Sequence, residues 1–509
     1  MKTRIRFLAL AAVLCMLLAA CSSNSASPAA PGNTGSGAGA DPSPAADSPN
    51  PAAPTELDEI PSDVIDANLT CEISLGNYPA DTAKAEEIAV VDGYIAIMKK
   101  QYPNVTVTPD YFSYTLDTYI GRALGGTAPT IFQPPFTDPP LLIQQGIAGD
   151  ITEALEEIDL LKDFSPAYLE MLSDENGRIY GLPRDGYVMG LHLNLNLFEQ
   201  AGLMNEDGTV QYPKTLQELA ETGRIIKEKT GKAGLVFPAS DTYGGWLFTN
   251  IAWNFGAVGD NAMQYQDENG KWIVNLTSDA CVAALEYVKS LRWEYDILNA
   301  DTTTSTWASC HTALGSGEAA MNIAADDSTA EPTAGAGLAV DKFALVPYPA
   351  GPAGAYALKG GTAYMFAPGI TVDQGKAALA YLKIAGLLPY ADDAAIAAMK
   401  AGAAGKRDRG APVIPPVPAW NNEAFVQAQK DIAAEYSNVD IRLYEDYLNS
   451  LTDGSISLRG EEPIYTQDFY RELTGAVQLM IVREDSNARS ALEKAQNNFQ
   501  AYLDDQLGQ

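Results

Sequence analysis

The side chains best placed for chemistry are aromatic rings and carboxylates lying just beyond short β-branched or apolar runs. Tyr78 and Asp81 follow residues 70–75, and Phe136 and Asp138 follow residues 130–132. Asp241, Tyr243 and Trp246 follow residues 234–237, and Asp326 and Asp327 follow the run that ends at Ile323. Tyr187 and Tyr364 open two further runs. A flat ring can take the apolar face of a cyclic ligand, and a carboxylate can bond two neighbouring hydroxyls at once. Strand C-terminal ends are where α/β proteins place such groups. Trp246 is the strongest single candidate; Trp253, seven residues on, has helix spacing and reads as core, and Trp272 and Trp293 read as packing. Arg184 can pair with a ligand carboxylate or with its neighbour Asp185.

Catalytic patterns are sparse. His192 and His311 are the two histidines, the first inside a strand pattern and the second at a helix start. There is no G-x-S-x-G, no H-E-x-x-H and no P-loop. Cys310 and His311 are adjacent, and adjacent residues on a helix do not face each other. No C-x-x-C occurs, so no structural zinc is expected, nor any other metal or cofactor. Of five cysteines, Cys71, Cys281 and Cys310 lie in the body of the chain, an odd and widely spaced set that makes no disulfide framework. One pairing among them stays open, with Cys281 on a helix pattern as a small apolar residue.

One more cysteine carries a different chemistry. Lys2, Arg4 and Arg6 precede an apolar run from Phe7 to Ala20, and Leu18-Ala19-Ala20-Cys21 closes it. This is a signal-peptide pattern over residues 1–20, shorter than the roughly 20 apolar residues of a membrane span. The small residues admit a peptidase, and the Cys21 thiol is the nucleophile that can accept a lipid. An ordinary A-x-A-like cleavage with Cys21 incidental is the alternative. Residues 21–55 are rich in Ala, Pro, Ser and Gly and cannot bury enough surface to order themselves. They read as a flexible linker. Lipid on Cys21 would tether everything downstream to the outer face of the cell membrane. Asp plus Glu total 65 against 33 Lys plus Arg, a net charge of −32, which argues against nucleic acid or anionic lipid surfaces as partners.

The elements that must position these groups alternate in type. A strand over residues 70–75, a helix over 84–101 and a strand at Val105-Thr106-Val107-Thr108 form a βαβ unit, hence a parallel sheet. Helices over 115–124 and 141–146 flank a third strand at 130–132. Residues 174–183 read as a hairpin on Asn176-Gly177, and 187–195 as a strand. Thr215 with Glu218 makes a capping box. A strand at 234–237 and an amphipathic helix over 279–294 follow. Strands are expected at 319–324, 342–346 and 362–367, and helices at 375–387, 391–401, 422–434, 440–450 and 488–504. Roughly 450 residues exceed one core, so two lobes are expected.

Several stretches resemble, in order, those of bacterial extracellular solute-binding proteins of ABC importers, the group that includes maltose-binding protein. Tyr102-Pro103-Asn104-Val105-Thr106-Val107 resembles "YPNVTV", and Gly125-Gly126-Thr127-Ala128-Pro129-Thr130-Ile131 resembles "G-x-x-P-D-I". Gly177 to Pro183 resembles "G-K-I-Y-G-L-P", and Leu197-Phe198-Glu199-Gln200-Ala201-Gly202-Leu203 resembles "L-F-E-E-A-G-L". Tyr212-Pro213-Lys214-Thr215 and Gly317-Glu318-Ala319-Ala320-Met321 continue the series. The resemblance implies a two-lobed periplasmic-binding-protein-like α/β fold with discontinuous lobes, a hinge and a ligand cleft. It places lobe one at 70–183 plus 362–405 and lobe two at 187–358 plus 406–509. The crossings then fall near Gly186 and near Gly360-Gly361, glycines that suit a hinge and that could equally be ordinary turn glycines. Tyr187 lies near where some members place an acidic ligand residue. The implied function is capture of a small solute, a carbohydrate or oligosaccharide, for a membrane permease, with no catalysis. A tethered enzyme acting on glycosides through paired carboxylates and a ligand sensor for a receptor are the alternatives. The chain departs from the family at Thr130, where an Asp is usual, at Leu193-Asn194-Leu195, and at Asn322 to Asp327.

Overall fold

Two sheets, built from strands that the chain enters and leaves twice, set the frame. The computed structural model describes residues 65–76, 78, 79 and 85–509, all within one compact unit. The signal pattern, Cys21, the linker and Asp81 lie outside the described residues.

The first sheet begins with β1 (Cys71–Leu75) and β2 (Val105–Pro109), parallel from Cys71↔Val105 to Leu75↔Pro109 and joined by the helix Ala85–Gln101. Thr115 caps the helix Leu116–Leu124, accepting from the Thr118 amide, and leads to β3 (Ile131–Phe132) beside β1. Thr130 ties these strands together: its hydroxyl accepts from the Ser74 amide, and the Ser74 hydroxyl accepts from the Thr130 amide, both at 2.9 Å. The expected hairpin over 174–183 reduces to a turn held by Asp174, one bridge between Ser173 and Ile179, and β4 (Gly181–Pro183).

The second sheet is organised on β5 (Tyr187–Asn194), which is buried after its first residue and shows no polar alternation, as a strand covered on both faces should. Around it lie β6 (Ala233–Val236), the small pair β7 (Gln264–Gln266) and β8 (Trp272–Val274) standing apart, then β9 (Ala319–Ala325), β10 (Phe343–Pro347) and β11 (Tyr356–Gly360). β9 and β10 run antiparallel to β5, and β11 meets it at Gly360↔Tyr187. The chain then returns to the first sheet as β12 (Ala363–Phe366), antiparallel to β3 and β4, giving the order β2-β1-β3-β12-β4. β13 (Ser457–Arg459) adds to β11 late in the chain.

Burial follows the sheets. Ile73, Leu75, Ile131 and Phe366 pack against Ile97, Met98, Leu379 and Leu382, and Phe132 and Met365 pack on the opposite face against Tyr119 and Leu142. A larger core gathers Leu191, Leu193 and Ile323 with the helices Leu216–Thr230, Asp279–Trp293 and Thr466–Val482. Trp420 joins the first sheet's core, against Phe164.

Some expectations change. Four helices went unforeseen, the short Thr152–Glu157 and Pro166–Leu172 and two longer ones. Tyr243–Asn254 buries ten of its twelve residues and so has no polar face to reveal its period. Thr466–Val482 starts from Tyr465, held at φ 45. The helix expected at 391–401 runs on to Asp408, through Gly402 and Gly405. The region 440–450 is a short 3₁₀ turn followed by the helix Glu445–Ser450. Only half of the Thr215 box forms: Thr215 accepts from the Glu218 amide, while the Glu218 carboxylate takes the Lys214 amide. Trp293 is 39% exposed, with its indole N–H on the Met480 carbonyl, so it is not a packing residue in the full sense. Cys71, Cys281 and Cys310 are all free thiols.

Candidate functional site

Where the chain crosses between the sheets, the two connections run side by side. Arg184 donates its amide to the Thr362 carbonyl at 2.9 Å, and the Thr362 amide donates to Asp185 Oδ1 at 2.7 Å. Phe136 hydrogen bonds through its amide to the Gly361 carbonyl. Gly360 ends β11 opposite Tyr187. Gly186, Gly360 and Gly361 are all required by close approach, a Cβ on Gly360 lying 2.3 Å from the Tyr187 hydroxyl oxygen. A Cβ on Gly186 would lie 1.8 Å from the Tyr168 hydroxyl oxygen. Gly361 sits at φ 144, and a Cβ there would lie 2.6 Å from the Asp185 carbonyl and 2.9 Å from the Phe136 ring.

On the second-sheet side, Trp246 stands half-buried on the helix Tyr243–Asn254, edge-on to Tyr187 (6.3 Å between ring centres) and to Trp307 (5.2 Å). Tyr243 stacks on Trp307 at 6.3 Å. Behind them the Glu461 carboxylate accepts the hydroxyls of Tyr470 and Tyr187, the latter at 3.5 Å, and faces the Trp246 indole. Burial raises the Glu461 carboxyl to about 7, with these donors pulling it back. Glu462 points the other way, to the Trp253 indole at 2.9 Å, and is also raised to about 7 by burial. Trp253 is fully buried, as its spacing implied.

A second group forms at the crossing itself. Arg184 Nη1 donates to Asp185 Oδ2 at 2.8 Å, so the alternative reading of that arginine is the one realised. Asp326 accepts the Val188 amide at 2.9 Å and the Tyr447 hydroxyl at 3.1 Å. Burial holds Asp326 at about 6 and pushes its neighbour Asp327 well up. Lys406 lies within electrostatic reach of both, and its ammonium is lowered by desolvation. Tyr168 reaches in from the helix Pro166–Leu172.

The structure thus brings Tyr187, Trp246 and Tyr243 into one group, and Arg184 and Asp326 into another beside it. It does not bring the remaining candidates there. Tyr78 is buried, donates to Asp92 at 2.6 Å and carries the ring of Tyr111, which is 62% exposed, edge-on at 5.3 Å. Phe136 is core, packed near Tyr168. Asp138 is buried, takes the hydroxyls of Tyr114 and Thr137, and is raised to about 6 by burial. Tyr364 is buried next to Arg184. Asp241 is exposed at φ 55. The histidines are buried together, His192 on the Ala325 carbonyl and His311 beneath Trp307, while Cys310 packs with Val236 and Ala319. Sequence reading missed Tyr168, Trp307, Glu461, Tyr470 and Tyr111. Gly460-Glu461-Glu462-Pro463, two acids beside a proline ahead of an apolar helix, was the available signal for Glu461.

The family model for bacterial extracellular solute-binding proteins matches residues 78–386, and the chain belongs to that family. A lactose-binding protein of Rhizobium radiobacter is 26% identical over 165 aligned positions, and the match spans 38% of that relative. The GacH receptor of Streptomyces glaucescens, solved unliganded and with acarbose, has the same two-lobed fold at 17% identity and TM-score 0.58, covering 86% of this chain and all of that one. The cyclic α-maltosyl-1,6-maltose binding protein of Arthrobacter globiformis matches at 16% identity and TM-score 0.59 over 86% and 100%. UgpB of Mycobacterium tuberculosis, solved with glycerophosphocholine, matches at 15% and 0.60 over 86% and 99%. These likenesses are of fold, and the fold serves ligands of different chemistry. Among the described residues, no helix is long and apolar enough to cross a membrane.

Proposed function

We propose that this protein captures a carbohydrate, an oligosaccharide, outside the cell and presents it to the permease of an ABC importer, releasing it chemically unchanged. The observation that carries this reading is the half-buried Trp246, held edge-on by Tyr187 and Trp307 and backed by the Glu461 carboxylate. An aromatic surface next to carboxylates offers what a ring with an apolar face and a rim of hydroxyls needs. The lactose-binding relative supports a saccharide. In this reading lobe one comprises 70–183 with 362–405 and the stretch around Trp420 that packs into the first sheet's core, lobe two comprises 187–358 with the remainder of 406–509, and Gly186, Gly360 and Gly361 lie in the hinge. Ligand shifts an open–closed balance toward the closed form that the permease engages. Cys21 carries lipid and keeps the binder near its importer at high local concentration.

Titration calorimetry of the purified protein with a panel of neutral oligosaccharides tests the reading. One member should give saturable heat and be recovered intact by chromatography. Cleavage products would favour an enzyme instead, and no heat with any saccharide would overturn the proposal.

A further inference from the structure

Lobe one touches the second sheet's core at places other than the two crossings. On the helix Pro139–Gln144, neighbouring leucines point opposite ways. Leu142 packs with Phe132 and Met365 in the first sheet's core, while Leu141, 1% exposed, belongs to the core around β5. Beside it, Gln145 Nε2 donates to the Tyr465 hydroxyl at 3.5 Å. The Thr466 hydroxyl, held by the Glu462 carbonyl at 2.5 Å, also reaches the Thr137 carbonyl at 3.4 Å. A further contact comes from the helix Pro166–Leu172, where a Cβ on Gly460 would lie 2.7 Å from the Met171 sulfur. Gly460, Tyr465 and Thr466 all fall within the short stretch 460–466.

The same stretch holds the aromatic site from behind. Glu461 accepts the hydroxyls of Tyr470 and, at 3.5 Å, of Tyr187, whose ring is edge-on to Trp246. Glu462 accepts the Trp253 indole N–H at 2.9 Å. The backbone here has little freedom. Pro463 fixes one φ. Tyr465 stands at φ 45, a left-handed conformation that a bulky residue keeps only where its surroundings impose it. Its ring is edge-on to Tyr502 at 5.4 Å. A stiff stretch that meets lobe one at both ends, and the residues behind Trp246 in its middle, passes a shift of one to the other. Parting the lobes here would also carry Leu141 from the core into water, which is unfavourable.

We propose that residues 460–466 form a strut between the lobes, on which Leu141, Gln145 and Met171 of lobe one bear, and which sets how far lobe one stands from Tyr187 and Trp246. Gly460, Tyr465 and Thr466 are positioning residues that act through Glu461. The proposal rests on the reading in which the lobes rotate about the crossings, and not on the ligand's being a saccharide. Removing a contact lets the lobes part, and a side chain on Gly460 wedges them apart.

Double electron–electron resonance on the ligand-free protein tests this, with nitroxides carried on keto amino acids at positions 124 and 265. Leu124, 76% exposed, lies on lobe one, and Tyr265, 41% exposed, on lobe two. Gly460→Val drives a branched side chain against Met171 and should lengthen the mean separation by about 2 Å or more. Adding Met171→Ala should bring the separation back. Leu141→Ala should broaden the distribution toward long distances. A Gly460→Val protein that melts cooperatively at the wild-type separation overturns the strut, and so does a shift that Met171→Ala fails to reverse. Where Gly460→Val does not fold, Leu141→Ala decides: a longer separation supports the strut and an unchanged one overturns it. Two wild-type separations that no variant shifts would overturn the strut and keep the hinge, whereas one narrow separation in every protein would overturn both. Calorimetry with saccharides can fail while these distances behave as expected, so the carbohydrate reading and the strut fall separately.

Discussion

In the proposed site Trp246 is the residue that touches the ligand, and the Glu461 carboxylate faces its indole from behind. Truncating Trp246 removes the aromatic surface, and Trp246→Ala should weaken saccharide binding by about tenfold or more while lowering the melting temperature only modestly, since the ring is half-buried. Unchanged affinity in calorimetry would remove Trp246 from the site. Glu461→Ala acts differently. It leaves the buried Tyr470 hydroxyl without its acceptor, a loss of about 1–3 kcal/mol in chemical denaturation. Glu461→Gln keeps an acceptor in place and should recover most of that stability. If the two variants were equally destabilised, the carboxylate would matter for its charge rather than for its hydrogen bonds.

The connections between the two sheets are shaped by what packs on them. Gly186 gives way to a tyrosine from a helix of the first-sheet side, and that contact fixes how the crossing strand lies. Gly186→Ala forces the new methyl against the Tyr168 hydroxyl and should cost about 1–3 kcal/mol. In a Tyr168→Phe background the oxygen is gone and the penalty should shrink, so the double-mutant cycle yields a coupling of matching sign. Additive effects would mean that the glycine is needed for some other reason. The same logic explains β5, whose central place in the second sheet lets Val188 hold Asp326 and Tyr187 face Trp246 from adjacent positions.

Across the whole molecule, buried ionisable groups set a distinctive pH dependence. Burial holds Asp138 and Asp326 at about 6 and Glu461 and Glu462 at about 7, above the ordinary values of 3.8 and 4.5. An acid whose folded pKa exceeds its unfolded one takes up a proton on folding, so stability grows as pH falls through the folded value. Burial lowers His192 to about 3 and His311 well below 6.5, and these two oppose the trend below pH 6.5. Four acids against two histidines leave the acids ahead. The melting temperature should therefore be higher near about pH 5.5 than near about pH 7.5, and a scan that falls on acidification across that window would contradict it. At the scale of the cell, Cys21→Ala should leave saccharide binding by the purified protein intact and move the protein from the membrane fraction to the soluble one. Retention with the membrane would exclude the lipid anchor.

The sequence by itself determined the family and the alternation of elements, because these depend on local signals, while the crossings near Gly186 and Gly360-Gly361 came from the family resemblance. The order of motifs from Tyr102 to Met321 and the βαβ pattern at 70–108 need no knowledge of distant contacts. Trp246 and Arg184 were legible as candidates for the same reason. What only the tertiary structure decided is which of the strand-end residues face one another. Tyr78 and Phe136 have the right types just beyond strand C-terminal ends, and Tyr364 opens a strand, yet their rings are drawn into the core, where apolar area leaves water. Glu461 arrives from a segment some two hundred residues beyond Trp246, and Tyr168 from the other sheet's helices. No periodicity links such residues: a long loop closes between them at small extra entropic cost, and their meeting is set by packing rather than by spacing.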